Sequence, residues 1–137
     1  FREARAHLHE KGVLAINVGR TPTDRRLVDA LSTTLLTVFP SVHVMDVPAT
    51  FNTILVATVK PSTSDNLTAN LENLPEDVHP ILLNAMTRGV ASLRPTQSTD
   101  IIFTDDRAPL EQLTNSILLR YLLEGESAGL PDQNLSS

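Results

Sequence analysis

The sequence predicts an α/β domain whose sheet is mostly parallel with one reversed strand. Three observations carry this. "VLAINV", Val13 to Val18, is a short, almost unbroken apolar run, the pattern of a strand covered on both faces. A well-signalled amphipathic helix follows it. Two more apolar stretches, "SVHVMDVP" and "NTILVATVK", are separated by "ATFN", too short for a crossover helix, so they are expected to be antiparallel neighbours.

Taken in order, "FREARAHLHEK" has the look of a helix's last turns, and Gly12 is the residue type best suited to the left-handed position that closes a helix. The strand 13–18 comes next. Gly19 and Arg20 turn the chain, and "TPTD" then supplies a capping Thr21, a Pro22 that fits the first helical position and an acid at Asp24. The helix is placed at 22–38, with Leu27, Val28, Leu31, Leu35 and Val38 on its buried face and Pro40 as its stop. Strands are placed at 42–47 and 54–59, which completes a three-stranded mixed sheet, its last strand antiparallel, within residues 1–60.

Residues 61–126 read as a C-terminal helical segment of the same domain, and 127–137 as a tail. "STSDNLTANLENL", "HPILLNAMTRGVASL" and "PLEQLTNSILLRYLLEGE" are its three helices, the last with an apolar stripe at Leu110, Leu113, Ile117 and Tyr121. Before that helix, "TDIIFTDDRAP" is a short extended stretch running into an acidic turn.

Composition narrows the function classes. A net charge of −5 argues against nucleic acid, whose phosphates are gripped by clustered Lys and Arg. With no cysteine there is no thiolate metal site or cysteine nucleophile, and His7 and His9, two apart, cannot form the helical i, i+4 pair, so no metal is assigned. No apolar run approaches the roughly 20 residues that cross a bilayer, so no membrane segment is expected here and the location is read as cytoplasmic. The opening on Phe1, inside a helix-like stretch, suggests an excised piece of a longer parent.

Read together, "LAINVGRTPTDRRLVDAL", "VFPSVHVMDVPATFNTILVAT" and "FTDDRAPLEQLT" resemble the C-terminal half of spermidine synthase-like aminopropyltransferases, in particular the bacterial branch fused to membrane-transporter-like helices. The resemblance implies a Rossmann-like, methyltransferase-like sheet of seven strands, of which this chain supplies strands five, six and seven and the closing helices. It implies transfer of an aminopropyl group from decarboxylated S-adenosylmethionine to a polyamine such as putrescine, in a parent tethered to a membrane in that branch. The glycine-rich turn, the ribose-binding acid and the acids that handle the amine would lie upstream of Phe1. The piece alone is therefore expected to bind no cofactor and to be inactive, and no catalytic base is assigned.

Candidate site residues follow from position and from the resemblance. Asn17, Gly19 and Arg20 occupy the carboxyl end of the first strand, where open α/β sheets bind ligands; spermidine synthases tend to have glutamine near Asn17. Asp105 and Asp106 match the family's acidic motif, able either to hold an ammonium group or to cap the helix that follows. Asp46 and Asn52, at strand ends, are further cleft-lining candidates, while Arg25 and Arg26 read as a solvated helix face. Two other readings stand beside the enzyme: a related S-adenosylmethionine-dependent methyltransferase, and a non-catalytic regulatory module that forms homo-oligomers through an exposed sheet edge.

Overall fold

Alternation along one strand sets the architecture. Thr53, Leu55 and Ala57 are fully buried, whereas Asn52, Ile54, Val56 and Thr58 between them are only half-buried. A strand so well covered on one face belongs in the middle of a sheet. In the computed structural model, which describes residues 1–104 and 110–123, it is indeed central.

The chain runs α1 (Arg2–Ala6), β1 (Val13–Gly19), α2 (Arg26–Leu36), β2 (Ser41–Asp46), β3 (Asn52–Thr58), α3 (Ser64–Glu72), α4 (Pro80–Ala91), β4 (Leu93–Arg94) and α5 (Leu110–Leu123). The sheet order is β1-β3-β2-β4, and each neighbouring pair is antiparallel. This corrects two expectations. Among the described residues the sheet has four strands, because the two residues of β4, too few to show any period, pair Leu93 with Met45 and Arg94 with Val44. Nor does it contain parallel neighbours among those residues: β1 and β2 run the same way and are joined by α2, but the reversed β3 is inserted between them. The reversal itself, and the antiparallel pairing of β2 with β3, agree with the sequence reading.

β1 departs from its expected double cover. Its residues alternate between exposed and partly buried, Val18 alone is fully covered, and β3 is its one strand partner among the described residues. Leu14, Ile16 and Val18 turn toward α2, where they meet Val28, Leu35, Phe39, Val42, Val44, Leu55 and Ala57 in the main core. On the other face, α3 and α4 cover part of the sheet around a cavity of about 410 Å³ that includes His43, Met45, Val56, Leu67, Met86 and Leu93.

α2 begins four residues later than its sequence signals suggest. Thr21 and Asp24 close a turn on each other, Thr21 N donating to the Asp24 carbonyl and Asp24 N to Thr21 Oγ1, and this turn holds Pro22 outside the helix. The Asp24 carboxylate then accepts from Arg26 N. α1 is shorter than expected as well, closing at His7 in a right-handed conformation. Gly12 is required for a different reason: a Cβ there would stand 2.8 Å from the His9 carbonyl oxygen.

Candidate functional site

β1 and β2 end on the same side of the sheet, beside the start of β3, with Gly19 opposite Asn52 and Asp46 opposite Thr53. Pleating sends alternate side chains to opposite faces. Asp46 and Thr53 therefore face α2, with Val44 and Leu55, while Asn17 and Asn52 share the other face with Ile54. The two halves of the expected cleft are on opposite sides of the sheet.

On the α2 side, Asp46 is surrounded by cations. Arg25 Nη1 donates to both of its carboxylate oxygens at 3.0 Å, Arg20 Nε stands 3.3 Å away and Arg94 Nε 3.4 Å away. Thr53 completes the group, donating to Asp46 at 2.7 Å and accepting from Arg20 Nε at 3.1 Å. Burial pushes the Asp46 carboxyl up, but the Thr53 hydroxyl and the guanidinium groups outweigh it and hold the carboxyl below its ordinary range. Asp46 is thus an ionised acid already engaged by the protein, and it is not available to a cationic amine.

Two cavities flank this cluster. One, of about 330 Å³, lies between the end of β1 and α5, lined by Arg20, Leu27, Phe51, Ile117, Leu118 and Tyr121 among others. Phe51 and Tyr121 meet edge to face at 5.8 Å between ring centres, a geometry that aromatic quadrupoles favour. The other, of about 240 Å³, is polar and lined by Arg25, Asp29, Asp46, Arg94, Pro95 and Gln97.

Of the sequence candidates, Arg20, Asp46 and Gly19 come together here, Asn52 begins the neighbouring strand, and Asn17 is exposed on the far face. Asp105 and Asp106 lie outside the described residues. Arg25 corrects the reading of a solvated pair: it reaches inward to Asp46, whereas Arg26 forks onto Asp24 at 2.6 to 3.0 Å. Thr53 and Arg94 were not anticipated. The signal available for them was Asp46 itself, an acid ending an otherwise apolar strand.

The His43–Ser62 contact, 2.8 Å long and beside the 410 Å³ cavity, has the residue types of a nucleophile and its base. Proton accounting assigns it a structural role. Thr58 Oγ1 donates to the Lys60 carbonyl, so it accepts from Ser62, whose one proton is thereby used. Ser62 must then accept from His43 Nε2–H, and burial pushes the pKa of that imidazole down, favouring its neutral form.

No helix among the described residues is long and apolar enough to cross a membrane. Comparison with known protein families, with curated proteins and with solved structures yields no match.

Proposed function

We propose that this chain is the C-terminal part of a spermidine synthase-like transferase, with its ligand side at the carboxyl ends of β1 and β2. One observation carries the reading: β3, the last of the three strands read from the sequence, runs antiparallel to β1 and β2, as expected for the reversed last strand of a methyltransferase-like sheet, and β1 and β2 run the same way and are joined by a helix. The open edge of β1 suits a fourth, preceding strand. In the reaction, the acceptor nitrogen forms a bond to the aminopropyl carbon while the carbon–sulfur bond of the sulfonium breaks. The electron pair stays on sulfur as a neutral thioether, and the nitrogen gives up a proton. The residues here would contribute alignment, Phe51, Tyr121 and Arg20 walling the cavity at the end of β1.

The test is to read the gene upstream of Phe1 and assay the encoded full-length protein with decarboxylated S-adenosylmethionine and a panel of amines. Amine-dependent release of the thioether nucleoside is expected. An upstream sequence without a strand and glycine-rich turn, together with no release, would remove the reading.

A self-associating module is the second reading. It is favoured by the free β1 edge and by Leu118, Leu119, Leu122 and Leu123, all exposed on α5.

A further inference from the structure

We propose that the arginine cluster beside Asp46 is a binding site for the carboxylate group of a small ligand. Three guanidinium groups, Arg20, Arg25 and Arg94, gather at the end of β2 around one carboxylate, and Asp29 is the second acid of the adjoining 240 Å³ cavity. One positive charge is left over. The first-turn position of α2 adds to it, since Arg25 is the N-cap residue and the positive end of the helix dipole lies at the cavity wall.

The donors are also in surplus. Ion pairs and hydrogen bonds among the described residues engage only Nη1 of Arg25 and only Nε of Arg94, so each planar fork keeps N–H groups for another acceptor. Arg94 is more than half exposed while Arg25 and Asp46 are largely covered, which gives the cavity a fixed inner wall and a reachable outer one. Guanidinium forks match the two oxygens of a carboxylate in geometry. A single negative charge neutralises the cluster. A phosphate group, carrying up to two, would overshoot it.

If the parent transfers aminopropyl groups, its acceptor is then an amine that also carries a carboxylate rather than a plain diamine; this extension rests on the reading above, whereas the site itself does not.

The experiment titrates the chain with sodium acetate at constant ionic strength and follows the arginine Nε–H signals by NMR. Arg25 and Arg94 are expected to shift saturably, and Arg94→Gln to weaken acetate about tenfold, the scale of one charge-assisted fork. Asp29→Asn, which removes the opposing acid without touching a guanidinium, is expected to tighten acetate several-fold. Shifts that grow linearly and equally with chloride, or unchanged affinity in both variants, would overturn the site. Inorganic phosphate binding more tightly than acetate would overturn the carboxylate assignment. No sulfonium donor is present in the titration, so its failure leaves the transferase reading standing, and a failed transfer assay leaves the site standing.

Discussion

Thr53 is a fully buried hydroxyl with two jobs, giving its proton to Asp46 and taking one from Arg20. Thr53→Val keeps the shape and removes both bonds, leaving charged partners short of a contact. It is expected to cost about 1–3 kcal/mol, read by denaturant unfolding. Asp24 and Asp46 set the acid limit of stability. The Arg26 side chain holds the Asp24 carboxyl below its ordinary range, and the Thr53 and Arg25 contacts do the same for Asp46 against the opposing effect of burial. A carboxyl whose pKa is lowered by folding stabilises the protein above its unfolded pKa, about 4, and that contribution is lost as the pH falls through the lower folded value. Thermal midpoints are therefore expected to drop below about pH 4, and the drop to be shallower in Asp24→Asn; an unchanged slope would assign the loss to other acids. The sequence made half of this site legible. Arg20 and Asp46 announce themselves at strand ends, but Arg94 reaches Asp46 from a strand 48 residues away whose two residues carry no pattern, and an adjacent Arg25–Arg26 pair looks solvated until the turn before α2 aims one of them inward.

The β2–β3 connection carries backbone strain. Ala49 sits at φ 58°, the left-handed region that L side chains disfavour, in the turn that sets Asp46 opposite Thr53. Ala49→Gly is expected to stabilise the fold by about 1 kcal/mol, measured as a raised denaturant midpoint, because glycine occupies that region without a Cβ clash. In β3 itself, Leu55 is fully buried between the core faces of β1 and β2. Leu55→Ala is expected to cost about 2–5 kcal/mol, against less than about 1 kcal/mol for an exposed leucine such as Leu123→Ala. Elements were the most legible level: each expected strand and helix that falls among the described residues exists, with the start of α2 displaced by the Thr21–Asp24 turn. Pairing was less legible. "VLAINV" is apolar enough for a strand covered on both faces, yet among the described residues it is an edge strand with β3 as its partner, and its Ala15 and Asn17 meet solvent.

At the scale of the molecule, an uncovered edge and an apolar helix face predict association. Sedimentation of the chain is expected to be concentration-dependent, and Ala15→Lys, a charge placed on the exposed face of the edge strand, to shift it toward monomer; identical behaviour in the two proteins would clear β1 of any role. The strand order has a last consequence. β1 and β2 never hydrogen-bond to each other, and the strand that joins them is made after both. As the polypeptide emerges during synthesis, residues 1–46 can form α2 but cannot join β1 to β2, and the ladder that links them must wait until Thr58 has left the ribosome. The late segment acts as a keystone, so in a nascent chain stalled just short of it the stretch from β1 to β2 should remain open to protease.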